Sequence, residues 1–345
     1  MTSQSQQQKA LSVGADDSRV GLVVDLDGTL SRTDTLHEAV LTQVAQEPWR
    51  VFGLARLLIQ GRARFKAAVA DKGIADPACL PLNETVVEAL RVARAAERST
   101  ALVSAADYRQ VKAVADAVGL FDEAHGSKGQ QNLKGSQKAA FLTERFGHRG
   151  FDYIGDARAD IPVWQAARRA ITVKAKPSLR RAVEAVNPDA LHLDTPAGHS
   201  RAMLRALRPH QWSKNVLLFL PLLAAHDATK ILPVLAGFLA FCLTASAVYV
   251  MNDLMDLSAD RAHPRKRSRP FAAGELSAST GIAMSAGLLL AALGLGWWIS
   301  NPVFLLILFA YLVSTFAYSL FLKRKLLIDV VALAGLYTVR IIAGG

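Results

Sequence analysis

The chain has 345 residues, 51% of them apolar and 20% charged, with a formal net charge of +11. That length suffices for two domains. The basic excess flanks long uncharged runs in the second half, so it points to a membrane surface and not to nucleic acid. Two cysteines, Cys79 and Cys242, fall in different halves and read as reduced structural residues.

Residues 1–18 are rich in Ser and Gln, lack an apolar core and are expected to form a disordered tail. Val20 to Val24 is a short apolar run ending in acid and glycine, the pattern of a buried strand that enters a loop. Thr35 to Asp71 has helical periodicity and is expected to form two helices. Asn83 to Glu97 is a helix with Asn83 as its cap. A strand at Thr100–Val103, a helix at Tyr108–Val118, a helix at Gly135–Phe146 and a strand at Phe151–Ile154 follow. Ile171–Val173 adds a last strand. Such alternation predicts a parallel sheet covered on both faces, with its site at the carboxyl ends of the strands. Residues 19–187 form this domain, and 188–204 form a linker that includes Pro188 to Ser200.

From residue 205 on, the pattern is that of a polytopic helical membrane domain. A basic segment from Arg205 to Lys214 precedes a short apolar run, Val216 to Ala225, that contains Pro221. Ile231 to Met251 is uncharged and long enough to span. The charged loop Asp253 to Arg269 follows. The uncharged stretch Leu276 to Leu322 exceeds one span and breaks at Ser300-Asn301-Pro302. A fifth span starts at Leu326. Every cationic cluster then lies on one side, which the positive-inside tendency makes the cytoplasm, together with the soluble domain.

Two constellations carry chemistry. The first is Asp25-Leu26-Asp27-Gly28-Thr29 directly after a strand. Two carboxylates two residues apart can face one crevice, one as a nucleophile and the other as a proton donor to the leaving oxygen. Ser104 at the end of the next strand can hold a phosphate oxygen. Lys134 can neutralise the phosphate and is preferred to Lys138, one helical turn away. Asp156 and Asp160 complete an oxygen-donor magnesium site. These ordered motifs resemble the haloacid dehalogenase-like superfamily, in its phosphoserine-phosphatase-like branch. The resemblance implies Asp25 as nucleophile and Asp27 as general acid/base. It also implies magnesium held by Asp25, the Asp27 carbonyl and Asp156 with Asp160 in support, a small helical cap over about 30–78, and a small phosphorylated substrate. A phosphatase activity is implied by the resemblance alone.

The second constellation is Asn252-Asp253-Leu254-Met255-Asp256-Leu257-Ser258-Ala259-Asp260. At about 100° per residue the three acids fall within about 60° of one another if the helix runs on. Such clustering is unfavourable unless a cation offsets it, which a magnesium–diphosphate would do. Arg261, Arg265, Lys266, Arg267 and Arg269 follow at once. The run Asn252 to Asp260 with Arg269-Pro270 resembles the UbiA-type intramembrane prenyltransferases. Arg208-Pro209-x-Gln211-Trp212-x-Lys214-Asn215 and Asp260-Arg261-x-His263-Pro264 narrow the likeness to the decaprenyl-phosphate phosphoribosyltransferase branch. The resemblance implies transfer of 5-phosphoribosyl from phosphoribosyl pyrophosphate to a polyprenyl phosphate. It also implies Asp253, Asp256 and Asp260 on magnesium and pyrophosphate, with Lys214, Arg265 and Arg269 on phosphates.

Asn252, Lys323, Asp329 and Arg340 are further candidates for the membrane site. Asp329 and Arg340 share a helix face about 16 Å apart along the axis, too far to pair directly. They either line a polar cavity or snorkel at opposite interfaces. Lys323 either reaches a phosphate or anchors the topology. His263 reads as a loop hydrogen-bonder. The family fold has nine membrane helices and a second acidic motif. This chain stops at Ala343-Gly344-Gly345, at about five helices and before that motif, so the sequence reads as incomplete. Two alternatives remain: transfer from a prenyl diphosphate to an aromatic acceptor, and a membrane-anchored phosphatase whose spans only localise it.

Overall fold

The computed structural model describes residues 12–13, 19–129, 131–193, 198–299, 301–318 and 326–345. The chain forms two compact units, Met1–Ala197 and Gly198–Gly345. The predicted α/β class for the first and helical class for the second are the classes observed.

In the first unit six parallel strands run in the order β3-β2-β1-β4-β5-β6. They are β1 (Gly21–Val24), β2 (Thr100–Asp107), β3 (Glu123–Ser127), β4 (Phe151–Gly155), β5 (Ala170–Val173) and β6 (Leu191–Leu193). Strand β1 is buried throughout, as strands covered on both faces must be. Its side chains alternate between two cores. Leu22 and Val24 join Leu102, Ile154 and Ile171 on one face. Val23 joins Val103, Phe151 and Tyr153 on the other. Helices α4 (Glu84–Ala95) and α5 (Tyr108–Val118) cover the first core through Val86, Leu90, Val111 and Val114. Helices α6 (Ser136–Phe146) and α7 (Ile161–Ala166) cover the second through Leu142, Val163 and Trp164. Helix α8 (Pro177–Val186) leads to β6.

The chain builds the sheet outward from β1 in one direction and then, from β4, in the other. The switch point therefore lies between β1 and β4, whose register pairs Val24 with Ile154. Asp25 and Asp156 follow these two strands directly, at the crevice where such sheets bind ligands.

Several expectations are corrected. Strand β3 was not predicted, because Glu-Ala-His-Gly-Ser has no apolar run and is mostly half-buried. The linker contains β6 and the start of α9 (His199–Leu207). The segment expected to form the cap has three helices, where two were expected over Thr35 to Asp71: α1 (Thr35–Gln46), α2 (Arg50–Ile59) and α3 (Arg62–Lys72). Most of the expected N-terminal tail lies outside the described residues, but Val13 is buried in the first core. Its carbonyl accepts a hydrogen bond from Arg98 (2.7 Å), whose guanidinium is fully buried and also holds Asp152 (2.5 Å).

The second unit continues with α10 (Phe219–Ala225), α11 (Ile231–Met255), α12 (Leu257–Ala262), α13 (Ala278–Trp298), α14 (Pro302–Ala317) and α15 (Leu326–Ala343). Two helical stretches, Ala228–Met255 and Ala278–Trp298, are long and apolar enough to cross a membrane. Pro302–Ala317 and Ala334–Ala343 are shorter apolar segments. The predicted break at Asn301 is present, with its side chain capping α14. The first predicted span is not a continuous helix. A ten-residue 3-10 stretch, Pro209–Leu218, turns into α10, whose Pro221 cannot extend an α-helical ladder backwards. Small residues on α11 allow close approach to α13, where Ser285 Oγ donates to the Ala247 carbonyl (3.1 Å). Leu232, Leu235, Leu290, Trp297, Leu306 and Phe309 face outward, as lipid-facing side chains would.

Candidate active sites

In the soluble unit the backbone N–H of Asp25 donates to the Ile154 carbonyl (3.0 Å), which locks the loop after β1 against β4. Asp25 Oδ1 accepts from Leu26 N–H (2.9 Å) and lies 3.2 Å from Lys138 Nζ. Asp27 Oδ1 accepts from Thr35 N–H (2.7 Å) at the start of the cap. Thr29 Oγ1 donates to Asp156 Oδ1 (3.3 Å). Gly28 sits at φ +77°, and a Cβ there would stand 2.1 Å from Asp156 Oδ2. Glycine is thus required twice, for the left-handed turn and for the approach of Asp156.

Lys138, and not Lys134, is the lysine that the structure places among the acids. Its Nζ reaches Asp25 (3.2 Å), Asp160 (3.4 Å) and Tyr153 OH (2.8 Å). Lys134 is exposed. The structure thus brings Lys138 to the acids and not the preferred Lys134: α6 begins at Ser136, so Lys138 lies on its inward face and Lys134 precedes the helix. Ser104 is buried inside β2, which continues to Asp107, and its Oγ accepts from Ala106 N–H (3.2 Å). The β2–β3 register shifts between Val103 and Asp107, next to Ser104.

Asp25, Asp156 and Asp160 each offer an oxygen within 4.8 Å of the others. Opposite oxygens of a magnesium octahedron are about 4.2 Å apart, so this all-oxygen donor set fits that ion. The electrostatics agree. Burial pushes the Asp156 carboxyl up to about 7, reinforced by Asp25 and Asp160. Burial likewise pushes Asp27 up to about 7, reinforced by Asp34 and opposed by the Thr35 N–H. Burial also raises Asp25, against the pull of Lys138. Burial disfavours the Lys138 ammonium, but Asp25 and Asp160 outweigh it and raise its pKa. Sequence reasoning missed Tyr153, which donates to Asp160 (3.1 Å), and Arg32, whose buried Nε has no hydrogen-bond partner among the described residues.

In the second unit Asp253 and Asp260 are buried and Asp256 is half-buried. They do not line one helix face as predicted. Helix α11 ends at Met255, and Asp256 joins it to α12 with φ −97° and ψ 14°. Arg269 draws the outer two together, its Nη1 lying 3.2 Å from Asp253 Oδ1 and 2.6 Å from Asp260 Oδ2. Arg208 also binds Asp253, and its guanidinium lies 5.2 Å from the centre of the Tyr249 ring. Among the described residues these acids do not form a three-carboxylate group as tight as the soluble one. Asn252 is half-buried, and Lys214 and Arg265 are exposed. His263 Nδ1 accepts from the Arg265 N–H (3.2 Å), a loop hydrogen bond.

Arg340 is buried rather than snorkelled. It donates to Asn215 Oδ1 (2.7 Å), the Leu336 carbonyl (2.6 Å) and Tyr311 OH (2.9 Å). Lys323 lies outside the described residues. Asp329 is placed within α15, and its side chain is not described. Arg208, Tyr249 and Tyr311 were not singled out as site residues, although Arg208 opens the Arg-Pro-x-Gln-Trp run.

Residues 216–345 match the family model described as UbiA prenyltransferase family. The uncharacterized protein y4nM of Sinorhizobium fredii is 38% identical over 354 residues, covering 100% of this chain and 67% of that protein. The chain belongs to the UbiA prenyltransferase family. It is also similar to the decaprenyl-phosphate phosphoribosyltransferase of Mycobacterium tuberculosis, at 37% identity over 157 residues. That match covers 44% of this chain and 52% of the relative. The chain thus spans two thirds of the first relative and about half of the second. In the α/β unit a crystal structure of phosphoserine phosphatase in apo form is similar at 18% identity and a TM-score of 0.37. It covers 51% of this chain and 94% of that one. The UbiA family is membrane-integral, consistent with the two long apolar helices.

Proposed function

We propose that this UbiA-family protein transfers a 5-phosphoribosyl group from phosphoribosyl pyrophosphate to a polyprenyl phosphate, and that its α/β unit is a magnesium-dependent phosphatase. The observation that carries the transferase reading is the convergence of Arg208, Asp253, Asp260 and Arg269 inside a segment related to the phosphoribosyltransferases. Asp253, Asp256 and Asp260 would hold magnesium and the pyrophosphate. With the acids so engaged, Arg269 is released to join Lys214 and Arg265 on phosphate oxygens. The lipid phosphate oxygen forms the new bond to the anomeric carbon as the bond to pyrophosphate breaks. Asn252, Lys323, Asp329 and Arg340 are further candidates for this site, and the protein is read as multi-pass with the α/β unit cytoplasmic.

In the α/β unit Asp25, Asp156 and Asp160 would hold magnesium, which when bound offsets the charge of the phosphate. Asp25 Oδ1 is already engaged by Leu26 and Lys138, which leaves Oδ2 for phosphorus. That oxygen forms a bond to phosphorus as the bond to the leaving oxygen breaks. Asp27, whose carboxyl burial pushes up to about 7, donates in its protonated form the proton to the leaving oxygen. It then takes a proton from the water that releases phosphate and restores Asp25. Ser104, Lys138 and Arg32 supply donors to the phosphate oxygens, and the cap over about 30–78 selects a small phosphorylated substrate.

The test is incubation of the full chain in vesicles with magnesium, phosphoribosyl pyrophosphate and a polyprenyl phosphate. Formation of lipid-linked ribose phosphate is expected. Folded protein that makes none rejects the transferase assignment. Product formed only from a prenyl diphosphate and an aromatic acceptor replaces it with prenyl transfer. Phosphate release alone leaves a membrane-anchored phosphatase.

A further inference from the structure

The cap helix α2 buries none of its residues. Trp49, at the start of α2, and Arg50, Gly53, Leu54 and Leu57 line a cleft of about 590 Å³ shared with α1 and α3. The other side exposes large apolar groups: Val51, Phe52 (72%), Leu58 and Ile59 (88%). At 100° per residue these four fall within about 120° of one another, opposite the cleft. A contiguous apolar face of this kind marks an interaction surface. Two features identify its occupant as lipid. Between Trp49 and Lys66 the sequence has five basic residues and no acidic one, and Arg56 and Arg64 are exposed. A helix with an apolar face, cationic flanks and a tryptophan at its edge has the chemistry of one lying in a bilayer interface. In addition, the unit bearing α2 is covalently continuous with a unit of a membrane-integral family, so the chain keeps a bilayer within reach.

We propose that the outward face of α2, carried by Val51, Phe52, Leu58 and Ile59, docks the α/β unit on the surface of an anionic bilayer. The proposal does not depend on what either site turns over. The helix lies in the plane of the interface, with the apolar face in the acyl boundary and Arg56 and Arg64 among the headgroups. Lys66 on the next cap helix donates to the Ala105 carbonyl (3.4 Å), beside Ser104, so a docked cap sets the phosphatase crevice at the lipid surface.

The test uses the full chain carrying Cys79→Ser and Cys242→Ala, with single spin labels at Phe52→Cys, Ile59→Cys or Lys112→Cys. Each nanodisc holds one copy in phosphatidylglycerol and phosphatidylcholine. Labels at 52 and 59 are expected to collide more with oxygen and less with a water-soluble nickel complex than the label at exposed Lys112. Nickel collisions at 52 and 59 equal to those at 112 mean a face in water and overturn the proposal. Low collision with both reagents means a face packed on protein and overturns it equally. Circular dichroism and the thermal transition of each labelled chain, matched to the unlabelled protein, verify that the unit is folded.

Discussion

Replacing Lys138 with methionine removes the cation that holds the soluble acids together while keeping the length of the side chain. Lys138 Nζ stands 3.2 Å from Asp25 and 3.4 Å from Asp160, with all three groups buried. At an effective dielectric of about 20 each contact is worth about 5 kcal/mol of attraction, before desolvation is subtracted. Removing one partner of such a buried set costs about 3–5 kcal/mol, because the remaining charges lose their compensation. For a unit of this size that corresponds to a fall in Tm of roughly 6–20 °C. Calorimetry of the full chain in chelator, following the α/β unit, reads this directly, and phosphate release reads the catalytic effect. Added magnesium recovers part of the stability, since the ion replaces the lost positive charge. Lys134→Met, at an exposed position, leaves both readouts unchanged. A Lys138→Met protein with unaltered Tm and turnover, or a Lys134→Met protein that loses turnover, would refute the reasoning.

Gly28→Ala places a methyl 2.1 Å from Asp156 Oδ2 at φ +77°. The left-handed backbone alone costs about 1–2 kcal/mol, and the displaced carboxylate should abolish phosphate release, measured on protein verified as folded by circular dichroism. Magnesium at 100 times its Kd stabilises the α/β unit by about 2.7 kcal/mol. Asp156→Asn removes most of that gain in a thermal-shift titration, whereas Asp122→Asn, outside the cluster, retains it. Arg269→Gln takes away the group that bridges Asp253 and Asp260. It should lower lipid transfer by at least tenfold, about 1.4 kcal/mol or more of transition-state stabilisation, with phosphate release unchanged.

The acids of both candidate sites stand out in the sequence because each motif is local. Asp25 and Asp27 follow an apolar strand directly, and Asp156 ends another, so sheet topology alone brings them to one crevice. The choice between Lys134 and Lys138 was not local. It depends on where α6 starts and thus on which lysine turns inward, and Gly135 at φ +58° sets that start. Strand β3 escaped because a half-buried edge strand needs no apolar run, and β6 because three residues are too few to show alternation. In the membrane unit the hydropathy fixed α11 and α13, but the helix break at Asp256 has no marker such as Pro or Gly. Arg340 was legible as an ionisable residue in an apolar segment but not as a buried one, because its partner Asn215 lies 125 positions away and is brought to it only by tertiary packing.

The account holds that the two units carry separate phosphate-handling sites. Asp25→Asn and Asp253→Asn chains, reconstituted alongside the unaltered protein and assayed for both phosphate release and lipid-linked ribose phosphate, test this directly. The expected result is a clean exchange: Asp25→Asn loses phosphate release and keeps lipid transfer, and Asp253→Asn does the reverse. Loss of both products in either variant, with the protein folded, would contradict it.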